Sequence, residues 1–340
     1  MAGFPVDFLE RDVLFIRLRL LGDIVFTIPA IRLFKNRHPS SRLHYVVEER
    51  FREIAGLIPG VDHVLTVPRR RGPREILSFR RAVKDLGIRA VVDFHSGPGS
   101  AVLTRASGAP QRVGYRTPNR NWAYTRRVER HLPGAPVHSV LNQVRLLEPL
   151  GIEGEDAPGY PAIEFRPVDL SPRIAAIMGL HPKVVVHLGA GNRFRDWGEE
   201  NFAALVGRLG AQGIPALLIG GGSEEVARAA RLAELPHAHD LSGPIPVREL
   251  LALVDASSAY VGADSGPLHL ASLTATPLVA LYGPNLAEVS GPWRGERVEV
   301  LQLEMPCRPC SQRGCKYGTI PCMRNISVEK VHEAVAKFIA

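Results

Sequence analysis

Short runs of apolar residues without polar alternation punctuate this chain, most of them followed by apolar residues at helical spacing. The first is Val13-Leu-Phe-Ile16. Such a run reads as a strand buried on both faces, as in a parallel sheet. Downstream, Ile24, Phe26, Ile28, Ile31 and Phe34 recur near the helical period, which predicts a strand–turn–helix unit. Gly22 is expected in the turn, where no Cβ is needed, and Asp23 at the N-cap. Pro29 lies deep for a helix that starts at Ile24. Either it kinks the first turns or the helix begins near Thr27.

The same alternation continues through the first half. Strands are predicted at 43–47, 61–67, 90–94 and 112–115, and helices at 51–57, 74–86 and 135–149. His95-Ser-Gly-Pro-Gly-Ser100 is a second glycine-rich turn that opens a helix. Residues 151–172, rich in proline and glycine, read as a linker. In the second half, strands at 183–188, 214–219, 259–261 and 278–281 end in Gly189-Ala-Gly191, Gly220-Gly-Gly-Ser223, Gly262-Ala-Asp264-Ser-Gly266 and Tyr282-Gly-Pro284. Four glycine turns on one sheet edge suit a nucleotide or its phosphates lying against helix N-termini. The fold class is therefore α/β, with two doubly wound parallel sheets.

Composition changes this picture in three places. A length of 340 residues exceeds one ordinary core and calls for two domains. No run approaches the roughly 18 apolar residues of a membrane span, and no signal sequence precedes the first strand, so a cytoplasmic location is expected. The net charge of +8 is uneven: between Arg69 and Arg130 stand 15 basic residues against four acidic ones. No nucleic-acid motif interleaves with these arginines, so an anionic acceptor or an anionic membrane surface is expected instead, with a solvated surface as the plainer alternative.

Asp23 has two readings. It is a capping carboxylate, or it is a catalytic base at the C-terminal edge of the first strand, where open α/β sheets place ligands. Arg17 and Arg19 just before it favour an anion site with a base in it. No Walker A sequence and no Asp-x-Asp pair occurs, so arginines, backbone N–H groups and helix dipoles would have to hold a diphosphate. The only four cysteines, Cys307, Cys310, Cys315 and Cys322, fall within 16 residues. Their clustering suits thiolate ligation of zinc or iron, and equally a tight loop of reduced thiols.

Arg17–Pro29 resembles the opening motif of the ADP-heptose:lipopolysaccharide heptosyltransferases, glycosyltransferase family 9. Gly262–His269 resembles that family's second signature, and Tyr282–Pro284 the turn that follows. The cysteine-rich segment is similar to one in the heptosyltransferase II branch.

The resemblance implies a GT-B fold of two Rossmann-like domains facing a central cleft. These are an acceptor domain at 1–165, a donor domain at 166–325 and a C-terminal helix at 326–340. It implies an inverting, metal-independent transfer of heptose from ADP-heptose to the lipopolysaccharide inner core. Other nucleotide-sugar donors or acceptors, and a catalytically silent nucleotide-binding protein, stand as alternatives.

Asp23 matches the base. Asp264, Ser265, Gly266 and His269 match residues around the donor's diphosphate and sugar. Arg195 replaces the usual lysine on the diphosphate, and Glu224 and Glu225 follow the glycine turn near the nucleoside. Arg17, Arg19, His95, Arg69, Arg71 and Arg116 are assigned to the acceptor, and His95 is the next candidate base. Without the resemblance, His269 reads equally as a hydrogen-bonded helix histidine, Trp197 as packing, and Asp264 as a cap for a helix beginning near Pro267. Catalysis is expected to need no cofactor, so any metal at the cysteines would be structural. Expected partners are ADP-heptose and the lipopolysaccharide acceptor, with no nucleic acid. Peripheral contact with the anionic inner face of the cytoplasmic membrane is left open.

Overall fold

The computed structural model describes residues 12–130, 136–152, 157–160, 169–294 and 296–339. The chain divides into two compact units, Met1–Ile163 and Glu164–Ala340. The boundary expected at 165/166 and parts of the 151–172 linker lie outside the described residues, as do residues 1–11.

Unit 1 runs β1 (Val13–Ile16), α1 (Leu21–Arg37), β2 (Leu43–Glu48), α2 (Arg52–Leu57), β3 (His63–Val67), α3 (Pro73–Asp85), β4 (Ala90–Asp93), α4 (Pro98–Ala106), β5 (Gln111–Tyr115), β6 (Arg126–Val128) and α5 (Ser139–Arg145). Its sheet has the order β3-β2-β1-β4-β5-β6, and every pairing is parallel. Both faces of β1 are covered: Leu14 and Ile16 pack with Val46, Phe79, Val83, Val91 and Leu103, and Phe15 lies against Phe34 and Phe94 on the other side. Each such side chain, fully buried, stabilises the unit by about 1.5–3 kcal/mol.

Unit 2 runs α6 (Pro172–Ala175), β7 (Val184–His187), α7 (Glu199–Ala211), β8 (Ala216–Ile219), α8 (Ser223–Leu232), β9 (Ala238–Asp240), α9 (Val247–Asp255), β10 (Ala259–Ala263), α10 (Gly266–Ala271), β11 (Leu278–Tyr282), α11 (Ala287–Ser290), β12 (Val298–Gln302), α12 (Pro321–Arg324) and α13 (Val328–Ile339). Its parallel sheet has the order β12-β11-β10-β7-β8-β9. Counted within each unit, both sheets follow 3-2-1-4-5-6, the order of dinucleotide-binding sheets, whose ligands lie where the order reverses. In unit 1 that switch point lies between β1 and β4, and in unit 2 between β7 and β10. Because all strands are parallel, the four glycine turns of unit 2 share one edge.

The start of α1 departs from expectation. The helix begins at Leu21, so Gly22 lies inside its first turn and Asp23 is its third residue, not its N-cap. The reason is local: the Asp23 carboxylate reaches back to accept the Leu20 N–H at 3.1 Å, satisfying a donor that the helix leaves free. Pro29 sits within the helix and is buried.

Candidate active site

At the switch point of unit 1, the chain leaving β1 meets the turn after β4. Arg17 is buried, and its guanidinium is shared between the Asp23 carboxylate and the Phe94 carbonyl. Asp23 keeps 40% of its side chain exposed while Oδ1 meets Arg17 and Oδ2 meets the Leu20 N–H. His95 Nδ1 lies 3.1 Å from the Arg19 carbonyl. Burial, reinforced by the Arg17 charge, lowers the His95 pKa to about 4. A neutral ring must donate through Nδ1 to that carbonyl, which leaves Nε2 as an acceptor.

Asp93 is fully buried and fixes this turn. It accepts from the His95 N–H at 3.0 Å, the Ser96 N–H at 2.9 Å, and the Ser100 and Tyr124 hydroxyls at 2.8 Å each. Burial pushes its carboxyl above the ordinary value, and these four donors oppose the shift. Glu48, which closes β2, is also buried. Its Oε1 lies 3.7 Å from Arg19 Nε and its Oε2 accepts from Arg50 at 3.3 Å. Arg71 donates to the Pro68 carbonyl at 2.6 Å and lies against Gly99 in the first turn of α4, and burial lowers its pKa, opposed by the Glu48 charge and aided by that of Arg19.

Arg17, Arg19, Asp23, His95 and Arg71 therefore gather at one edge. Arg69 is exposed on the turn after β3, and Arg116 is tied to Glu129 in an exposed ion pair beyond β5. No described contact joins these two to the cluster. Glu48 and Asp93 were missed by sequence reasoning. Their one signal was a carboxylate closing an otherwise apolar strand.

At the switch point of unit 2, Arg195 ends a short turn after β7. Its Nη1 lies 3.1 Å from the Asp264 carbonyl and 3.4 Å from Oδ2. Asp264 is not a helix cap: α10 starts at Gly266 with Ser265 as its N-cap, and the carboxylate turns instead to His269, Arg195 and Asn285. Burial works against its ionisation, but the bond and charge of His269, with Arg195 and Asn285, bring the net pKa below the ordinary value. Ser265 Oγ lies 3.3 Å from His187 Nδ1 across the switch point. Burial lowers the pKa of His187 to about 4, against the Glu225 charge.

The two glutamates after the triple glycine part ways. Glu224 is exposed. Glu225 accepts from the Gly221 and Gly222 N–H groups at 2.7 and 2.9 Å, and it lies so close over Gly189 that a Cβ there would meet its Oε1 at 1.7 Å. Trp197 is fully buried and donates to the Ile326 carbonyl at 2.8 Å, which bears out packing.

The four cysteines are free thiols that line one cavity of about 290 Å³ with Phe194 and Met305. The Cys322 thiol, beneath Gly283, is pushed up by burial and by the other three cysteines. Among the described residues no group of three or more His, Cys, Asp or Glu is arranged to hold a metal ion. No described helix is long and apolar enough to cross a membrane.

Two doubly wound sheets in one chain, with charged side chains at one switch point and glycine turns at the other, have the makeup of a GT-B glycosyltransferase. Residues 76–320 match the model of glycosyltransferase family 9 (heptosyltransferase), and the chain belongs to that family. It is 23% identical over 319 residues to lipopolysaccharide heptosyltransferase 3 of Escherichia coli, covering 89% of this chain and 93% of that protein. It is 26% identical over 318 residues to lipopolysaccharide heptosyltransferase 1 of Pseudomonas aeruginosa, covering 90% and 87%. The solved structure of E. coli ADP-heptose lipopolysaccharide heptosyltransferase II superposes with a TM-score of 0.78 at 19% identity, covering 96% of this chain and 98% of that one.

Proposed function

We propose that this glycosyltransferase moves heptose from ADP-heptose to the lipopolysaccharide inner core, with inversion and without a catalytic metal. The observation that carries this reading is the Asp23 carboxylate, part-exposed at the end of β1 and fixed on both oxygens by Arg17 and the Leu20 N–H. A base so fixed acts through position.

In the reaction, the acceptor hydroxyl oxygen attacks the anomeric carbon from the face opposite ADP. The carbon–oxygen bond to the diphosphate breaks, and its electron pair leaves with ADP. The hydroxyl proton passes to Asp23. Arg195 meets the charge gathering on the diphosphate, and its planar fork suits phosphate oxygens. Asp264, Ser265, Gly266 and His269 orient the diphosphate and sugar, and Glu224 or Glu225 meets the nucleoside.

Arg17, Arg19, Arg71 and His95 face an anionic acceptor. Glu48 and Asp93 hold that set in place. Arg69 and Arg116, outside the cluster, suit outlying phosphates or an anionic membrane surface at the inner face of the cytoplasmic membrane.

The four cysteines would hold one structural zinc or iron only if the loop drew its thiols together. Elemental analysis of protein purified without added metal is expected to give near one equivalent, and less than a tenth of an equivalent, with four titratable thiols, removes the proposal. The function itself is tested by incubating the protein with ADP-heptose and heptose-deficient lipopolysaccharide. ADP release that depends on the acceptor, with a matching gain in acceptor mass, is expected. Release without acceptor glycosylation counts against it.

A further inference from the structure

Gln312 lies inside the cysteine segment, yet its side chain points back to the switch point of unit 2. Its backbone is left-handed, with φ of +57°, a region few non-glycine residues occupy. Its N–H donates to Cys310 Sγ at 3.3 Å. The side-chain Oε1 accepts from Arg195 Nε at 2.9 Å and from Asn192 Nδ2 at 2.8 Å. The Nε2 donates to Asn285 Oδ1 at 2.7 Å, and Asn285 in turn donates to the Asp264 carboxylate. Arg195 closes the ring through Asp264. Four side chains from four separate segments of the chain thus share one circuit, in which Gln312 and Asp264 stand opposite each other and each touches both Arg195 and Asn285.

The segment is itself tied down. The Cys310 N–H donates to the Pro284 carbonyl at 3.0 Å, and Arg308 donates to the Asn285 carbonyl at 2.7 Å and to Gln302 at 2.8 Å. Asn285 is therefore held through both its backbone and its amide. An arginine free in solution samples many rotamers. Here Nε and Nη1 are occupied, which fixes the guanidinium plane, and no described residue is hydrogen-bonded to Nη2.

We propose that Gln312 is a positioning residue of the donor site: it sets the plane of Arg195 and, through Asn285, the Asp264 carboxylate, making the cysteine segment one wall of the diphosphate site. This rests on the reading that unit 2 takes a nucleotide diphosphate. The chemistry recognised is a diphosphate oxygen meeting a guanidinium held in advance.

The test is a double-mutant cycle read by calorimetric ADP binding. Gln312→Met is close in size and removes the side-chain bonds. It is expected to raise the ADP dissociation constant about tenfold and the donor KM with it, with the acceptor KM little changed. In an Arg195→Ala background the same change is expected to add about threefold or less, because only the arm through Asn285 to Asp264 remains. Gln312→Glu, which keeps an acceptor for Arg195 and loses the amide donor to Asn285, enters the same cycle as a second variant and is expected to raise the ADP dissociation constant less than Gln312→Met.

If wild type binds ADP and Gln312→Met binds within twofold of it, the inference is overturned while the donor reading stands. Effects that add in full to Arg195→Ala overturn it too, since they mark a merely structural role. Wild-type protein that binds no ADP at millimolar concentration overturns both.

Discussion

The two switch points make an informative pair, because the sheets beneath them have the same strand order and parallel sense. In unit 1 the edge is built from charged side chains. Arg17 bridges Asp23 and the Phe94 carbonyl, Glu48 faces Arg19 and Arg50, and buried Asp93 locks the turn that carries His95. In unit 2 the edge is built from glycine turns, with its charged side chains tied to backbone and to one another: Glu225 lies over Gly189 and takes two amides, and Arg195 reaches the Asp264 carbonyl and carboxylate. One edge leaves a carboxylate part-exposed beside cations. The other adds close backbone approach to its charged pair. A shared topology supplies the location of a site and leaves its chemistry to the side chains.

The sharpest way to break the contrast is at Asp23. If unit 1 carries the chemistry and unit 2 the donor, Asp23→Asn lowers turnover by roughly 10²–10⁴ with ADP affinity unchanged. Asparagine keeps an acceptor for the Leu20 N–H but removes the charge beside the buried Arg17 guanidinium, so a moderate fall in thermal stability is expected alongside the loss of turnover. Lost stability with retained turnover would make Asp23 a structural residue and move the search to His95.

Arg195→Ala comes next. On the proposed role, in which the guanidinium meets the diphosphate both before and during bond breaking, it is expected to lower turnover by about 10–100-fold and to weaken ADP binding as well. A loss of turnover with ADP affinity intact would shift Arg195 to the sugar.

The smallest effect is one of pH. His187, with its pKa at about 4 in the folded chain against 6.5 unfolded, stays neutral where the unfolded chain takes up a proton. Its contribution is therefore full above pH 6.5 and is lost as pH falls from there to about 4, with a slope approaching about 1.4 kcal/mol per pH unit. His95 acts in the same direction in unit 1. In denaturant titrations across that window, His187→Gln should flatten the slope. An unchanged slope would mean that His187 is already protonated in the native protein.

What could be read from the chain divides along physical lines. Strands β1, β2, β4, β7, β8, β10 and β11 sit inside their sheets and are buried on both faces, and their largely apolar runs, broken in β2 by His44, showed it. The ones missed, β6, β9 and β12, are edge strands, with sequences such as Arg126-Arg-Val and Ala238-His-Asp that carry no such run. The positions of Asp23 and Asp264, just beyond β1 and β10, were legible because each follows an apolar strand closely in the chain. Gln312 was not: its partners Arg195 and Asn285 are 117 and 27 residues away, and only the tertiary fold brings them together.

Helix α13 closes the core of unit 2. Val328, Val331, Ala334 and Val335 pack with Trp197, Phe202, Leu205 and Val261, and Trp197 hydrogen-bonds the Ile326 carbonyl just before the helix. Unit 1 has all its described strands by Val128 and its last described α-helix by Arg145. During synthesis, which delivers the chain from its N-terminus, unit 1 can reach its packed state while the ribosome is still making unit 2. Unit 2 must wait with the Trp197 pocket open until α13 emerges. A ribosome that stalls before α13 has emerged therefore leaves a folded unit 1 and a unit 2 with its core exposed to chaperones and proteases.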